Sequence, residues 1–211
     1  MDEKIDALDK HGGLTGEVVW KSEAHREGIW HRCFHCWVTG TDENGEPYLL
    51  VQRRSAGKDT WRGRLDITAA GHLAAGEETL DGLRELQEEV GLTPNPDRLI
   101  PLGTRRIEQN ISQGCDREFQ EVFLLQDSTP PQDLRLQEEE VESVLRISLD
   151  NAGRLETGEA VSAVEWKSGG PVFVSVTIED FVPNEDGYLS RVAQAAGRVL
   201  SGERPGRIFP S

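Results

Sequence analysis

A mixed β-sheet flanked by helices, the α/β class, is the fold this sequence predicts. Three observations predict it: short apolar runs bounded by turn residues over 28–53 and 99–147, a helical apolar period over 78–90, and an amphipathic stretch over 188–200. Residues 1–16 are polar and glycine-bearing, and a strand is expected at Glu17 to Lys21. Gly28 to Val38 predicts a longer strand. The DENGE turn then leads into Tyr48 to Arg53 as its hairpin partner, because Asn-Gly tolerates the positive φ that tight hairpins need. SAGKDTWRGR is a loop, and LDITAA a short strand entering Gly71. From Glu78 to Val90, Leu80, Leu83, Leu86 and Val90 share one side at helical spacing, which assigns that side to the core. Gly91, with Pro94 and Pro96 beyond it, stops the helix. Strands follow near Leu99 to Ile107, Glu118 to Leu125 and Val141 to Ile147. Residues 150–171 give no clear pattern, and a terminal helix is expected at Tyr188 to Leu200.

Composition bounds the function. At 211 residues the chain can bury a core without disulfides or structural metal, and 36% hydrophobic with 29% charged residues is ordinary for a globular protein. No apolar run approaches the ~20 residues of a membrane span, and MDEKIDALDK has no signal-peptide core, so a cytoplasmic protein is expected. Three cysteines are a poor disulfide framework. Cys33 and Cys36 form a CxxC, but on a strand residues three apart face opposite ways, so one metal is not expected to hold both. The net charge of −15 argues against binding nucleic acid or anionic membrane. A small phosphorylated substrate stays compatible, since a bound cation inverts the local field.

The polar side of the central helix carries Glu78, Asp81, Glu85, Glu88 and Glu89. Glu85, Glu88 and Glu89 fall within one turn, where like charges repel, and Arg84 is the one basic residue nearby. Hard oxygen ligands clustered this way suit Mg²⁺ or Mn²⁺. The alternative is a merely solvated face.

The order GHLAAGEETLDGLRELQEEVGL resembles the signature of the Nudix hydrolase family, through Gly71, Glu77, Arg84, Glu85, Leu86, Glu88, Glu89, Gly91 and Leu92. The resemblance implies an α/β/α sandwich with a mixed sheet. It also implies metal ligation by Glu85, Glu88, Glu89 and the Gly71 carbonyl, with Arg84 bracing the cluster. The expected activity is metal-dependent hydrolysis of a diphosphate joined to a moiety X, which is a nucleoside, sugar, alcohol or prenyl group. Glu85 and Glu118 are the candidate general bases. One departure stands out: six residues, not the family's seven, separate Glu77 from Arg84. That shortening questions whether Glu77 still orients Arg84.

WHRCFHCWV, LLVQRRSAGKDTW and LDITAAGHLAAGE further resemble the branch that includes isopentenyl-diphosphate isomerases. Those enzymes hold a metal through histidines and acids, a pattern matched by His25, His31, His72 and Glu118, with Asp116 where a second acid falls. They also need a cysteine where this chain has Ala70, and the cysteines at 33, 36 and 115 lie elsewhere in sequence, so hydrolysis is the expected chemistry. An isomerase and an idle module that binds a phosphorylated metabolite are the rivals. Arg53 and Arg54 are candidates for a distal phosphate, Trp61 for stacking on X, and His31 and His72 for substrate contact. The expected organisation is an N-terminal strand or hairpin over 1–27, a catalytic domain over 28–168, and an extension over 169–211 whose helix covers an edge or a second copy in a homodimer.

Overall fold

The computed structural model describes residues 2–184 and 186–210. A ribbon of β1 (Lys4–Leu8) and β2 (Leu14–Trp20) leads into α1 (Lys21–Glu27). The main sheet contains β3 (His31–Thr41), β4 (Pro47–Arg54), β5 (Leu65–Asp66), β6 (Ala69–His72), β7 (Leu99–Ile111), β8 (Gly114–Gln126), β9 (Val141–Ser148), β10 (Val161–Lys167) and β11 (Gly170–Val176). Its order is β11-β10-β9-β4-β3-β8-β7, and β3 runs parallel to β8 while the other pairs are antiparallel. α2 (Arg84–Val90) packs on one face, and α3 (Leu149–Leu155) and α4 (Tyr188–Leu200) on the other. The architecture is therefore the predicted α/β/α sandwich with a mixed sheet.

Strand alternation builds both cores. Leu49 and Val51 of β4 face the α4 side, and Tyr48 and Leu50 face the α2 side. The α4 side holds Trp37, Leu145, Leu189 and Val192, and the α2 side holds Phe34, Cys36, Leu86 and Val90. Between β3 and β4 the sheet splits. The two pair over only Val38–Thr41 and Pro47–Leu50; farther on, β5 pairs with β4 and β6 with β3. The split positions the functional groups.

Several expectations are corrected. α1 lies in a stretch the sequence left unassigned, β1 is a strand within 1–27 whose bounds the sequence did not give, and β2 begins earlier than Glu17. Residues 150–171 contain α3, β10 and the start of β11. The helix predicted from Glu78 is a 3₁₀ turn over Thr79–Leu83 followed by α2. A 3₁₀ turn advances 120° per residue, so Leu80 swings away from the core and is 47% exposed, whereas Leu86 and Val90 stay buried. The same turn absorbs the missing residue. Five residues at ~2.0 Å rise cover about the length that six or seven cover in an α-helix. Gly91 caps α2 at φ 77°, as its position predicted. Among the described residues no helix is long and apolar enough to cross a membrane.

Candidate active site

The signature segment is assembled despite its shortened entry. The Arg84 guanidinium donates to both Glu77 carboxylate oxygens at 3.2 Å and to the His72 carbonyl at 2.8 Å. Glu77 in turn accepts from the Ala74 amide at 2.7 Å, which closes the loop onto the helix start. Arg84 also pairs with Glu85. The Glu85 carboxylate lies against the Cα of Gly71, where any β-carbon would overlap it. This close approach is why residue 71 is glycine.

The three signature glutamates have different surroundings. Burial raises the Glu85 carboxyl to about 7, with Glu88 and Glu89 adding repulsion against the pull of Arg84. Glu89 is buried in the sheet split, where one oxygen accepts from the Gln52 side chain at 3.0 Å and the Ala70 amide at 3.1 Å. Its other oxygen is 3.6 Å from Lys58 Nζ. Burial raises the pKa of Glu89 too, opposed by Lys58. Glu88 projects outward, 3.9 Å from Arg84. Glu85 and Glu88 thus share Arg84, while Glu89 turns to Gln52, the Ala70 amide and Lys58.

Convergence is found on the α4 face. Helix α1 supplies His25, β3 supplies His31 and Cys33, β6 supplies His72, and β8 supplies Asp116 and Glu118. His25 Nε2 lies 3.3 Å from His72 Nε2 and 3.6 Å from Asp116 Oδ1. His31 Nε2 is 3.6 Å from the same Asp116 oxygen and 3.8 Å from Glu118, and His72 Nε2 is 3.7 Å from Glu118. His31 Nδ1 donates to the Ile29 carbonyl at 2.9 Å, which turns Nε2 inward. His31 Nε2 and Asp116 Oδ1 are both buried without a hydrogen-bond partner, an arrangement that costs stability unless something fills the space between them. Ligands ~2.1 Å from one ion stand roughly 3.0–3.4 Å apart, and these donors, at 3.3–3.8 Å, need to close by only a few tenths of an ångström to meet one.

Electrostatics agrees. Burial opposes a charge on His31, but Glu118 and Asp116 overcome it and raise its pKa. Burial and the charge of His31 push His72 well down, and burial pushes His25 to about 4. Burial and the neighbouring Glu118 push Asp116 up to about 8.

Other predicted residues lie apart from this convergence. Arg53 donates to Glu165 at 2.7 Å and to the Gly63 carbonyl at 3.0 Å, and Arg54 donates to Asp66 at 2.8 Å. Trp61 is part-exposed at φ 54°. Cys33 and Cys36 do face opposite sides, yet Cys33 is no bystander. Its thiol donates to Glu118 at 3.0 Å, and the strand register sets it beside His72, within the cluster. Sequence reasoning missed Lys58 and Gln52, whose approach to Glu89 depends on the split. It also missed His35, the strand partner of Ala70. Burial lowers the His35 imidazole to about 4, leaving it neutral. A groove of about 1580 Å³, lined by Leu134, Arg146 and Trp166 among others, contains none of these groups.

A family model of the NUDIX domain matches residues 30–166. The chain is 32% identical over 201 residues to an uncharacterized Nudix hydrolase of Clostridium acetobutylicum, covering 92% of this chain and 97% of that protein. It is 29% identical to the isopentenyl-diphosphate delta-isomerase of Clavibacter sepedonicus, over 61% of this chain and 66% of that one. A crystal structure of a Deinococcus radiodurans protein shares the fold with a TM-score of 0.55 at 18% identity, covering 74% of this chain and 91% of that one.

Proposed function

Because the chain belongs to the Nudix hydrolase family, in the branch that resembles isopentenyl-diphosphate isomerases, we propose that it hydrolyses a diphosphate joined to a moiety X with Mg²⁺ or Mn²⁺. The observation that carries this reading is the interlock of Glu77, Arg84, the His72 carbonyl, Glu85 and Gly71, complete despite the missing residue. Glu85, Glu88 and Glu89, with the Gly71 carbonyl, would hold the catalytic ion. The histidine cluster would hold a second ion of more borderline preference, such as Mn²⁺ or Zn²⁺. His31 and His72 are therefore proposed as ion ligands rather than direct substrate contacts. Bound divalent ions neutralise diphosphate charge and lower the pKa of an attacking water.

The chain's own groups do the rest. Glu85 is the candidate to take a proton from water as attack at phosphorus expels the phosphate-bearing leaving group. Arg84 keeps that carboxylate aimed. Glu118 is the lesser candidate for base, since Cys33 and Gln120 already donate to its two oxygens at 3.0 and 2.6 Å. Arg53 and Arg54 are held by Glu165 and Asp66, and Lys58 by Glu140 and Glu89; of the three, Lys58 is the one that lies against a signature glutamate and is the proposed phosphate contact. Trp61, three residues on in the same loop, is the proposed loop contact to X.

The test is product release from sugar nucleotides, nucleoside diphosphates and prenyl diphosphates with Mg²⁺ and with Mn²⁺. Turnover of at least one class is expected, falling by orders of magnitude in Glu88→Gln and Glu89→Gln while circular dichroism shows both folded. No turnover on any class, or full turnover in both variants, would overturn the reading. A cytoplasmic setting belongs to the same proposal and rests on the three free thiols. So does a homodimer. β11 pairs on one side with β10, carries no charged residue and exposes Phe173 at 86%, so Phe173→Asp should convert a dimer to a monomer in light scattering.

A further inference from the structure

The nature of X can be approached from the strand face beside the histidine cluster, on the premise that the ion proposed for that cluster helps to hold the diphosphate. β3 presents His31, Cys33, His35 and Trp37 to the α4 side, because alternate residues share a face. The register sets His31 beside Glu118, Cys33 between His72 and Gln120, and His35 between Ala70 and Val122. Ala70 is two residues from His72, about 7 Å along the strand. Ala70 and His35 are therefore the next residues along this face from the cluster.

His35 is the group there with unused capacity. Its Nδ1 lies 3.1 Å from the Tyr188 hydroxyl, while Nε2 has no partner among the described residues. The ring is 9% exposed, so Nε2 is neither solvated freely nor sealed in the core. The bond to Tyr188 accounts for the place of the ring in the fold, and Nε2 is left open to water or to a polar group of a ligand. Tyr188 is itself fixed. The Arg105 guanidinium stacks 4.3 Å over its ring, and Asp186 and Gln120 hold Arg105 through bonds of 2.7 and 2.8 Å. The imidazole is thus presented in one orientation by the C-terminal extension.

A hydrocarbon X would cover Nε2 and offer it nothing, and a buried polar group left unpaired is the costly case. An X bearing hydroxyls would pair with it. We propose that His35, oriented by Tyr188, is a specificity-determining residue whose Nε2 hydrogen-bonds a polar group of X. The preferred substrates are then diphosphates of ribosyl or sugar moieties rather than of prenyl chains.

The experiment compares equilibrium binding and kcat/KM for ADP-ribose and isopentenyl diphosphate, using the full chain with Mn²⁺. The native protein should favour ADP-ribose about tenfold or more in Kd, and His35→Leu should remove roughly tenfold of that preference. Tyr188→Phe should lower it less. His35→Gln, which keeps a hydrogen-bonding end, should restore part of it. Mn²⁺ affinity measured separately should stay unchanged, which sets a specificity role apart from damage to the cluster. Binding preference without any hydrolysis would refute the catalytic reading and leave this one standing. Equal or reversed preference in the native protein, a preference unmoved in both His35→Leu and Tyr188→Phe, or binding of neither ligand would overturn it.

Discussion

Replacing Glu85 with glutamine should stabilise the metal-free protein, and by more as pH rises. The Glu85 side chain is 12% exposed, and its carboxyl is raised from 4.5 to about 7, chiefly by burial. At 1.36 kcal/mol per pH unit, that displacement is worth about 3 kcal/mol. The sign follows from proton counting. Between the unfolded and folded pKa values the native state holds a proton that the unfolded chain has released, so stability falls as pH rises through this window. Above about pH 7 the native protein carries the full penalty of a buried carboxylate, and glutamine carries none of it. The stability difference between Glu85→Gln and native should therefore grow from under about 1 kcal/mol at pH 5 to about 3 kcal/mol at pH 8. Urea denaturation with a chelator present, followed by circular dichroism at both pH values, measures it. Titrating groups remote from Glu85 are common to both proteins and cancel in the difference. A difference that stays constant between pH 5 and pH 8 would refute the reasoning. Adding Mg²⁺ at pH 8 should reverse the order, because an ion that binds the folded state stabilises only the protein that keeps its ligand.

Three further outcomes are expected. Inserting an alanine after Thr79 restores the family spacing but disrupts a 3₁₀ turn that already spans the gap, so stability should fall by ~1 kcal/mol, as for a disturbed helix start, and activity modestly. Thermal melts and kcat check this, and a large gain in activity would show that the short entry is a defect. Gly71→Ala drives a methyl into Glu85 and should lower turnover at least about tenfold with the fold retained, a loss of the size that follows small misplacement at a reacting centre; unchanged kcat would show that Glu85 need not sit there. Native protein with metal should place no deuterium from heavy water into isopentenyl or dimethylallyl diphosphate. Cys33 and Glu118 are 3.0 Å apart and cannot flank a substrate from opposite sides, so mass-spectrometric detection of label would put an isomerase first.

Periodicity exposed most of the fold because it reflects burial directly. Tyr188–Leu200 was legible to the residue, since its buried positions recur at helical spacing along an otherwise polar stretch. β9 and the second half of β8 were legible from short apolar stretches such as VFLL, whereas the polar start of β8, Gly114–Arg117, was not. The start of the central helix misled, because Leu80 matches the helical period in sequence and only the 3₁₀ geometry moves it outward. The bounds of β1 stayed hidden because KIDAL, at five residues, is too short to show a strand period. Only docking against the body buries Ile5 and Ala7.

The site divides in the same way. Gly71, Glu77, Arg84, Glu85, Glu88 and Glu89 lie within one continuous segment, where spacing alone carries their relationship. The histidine cluster has no such spacing. His25, His31, His72, Asp116 and Glu118 come from one helix and three strands, and only the resemblance to the isomerase branch suggested that they meet. His35 is further removed from view. Its face follows from alternation with His31, but its partner Tyr188 lies 153 residues away, and its place beside Ala70 depends on the sheet splitting to admit β6. That split sets both halves of the site on one short strand. Gly71 turns toward Glu85 on the α2 side, while Ala70 and His72 turn toward the imidazoles on the α4 side. A single residue of slippage in β6 would exchange these faces, so its register couples the glutamates to the histidines.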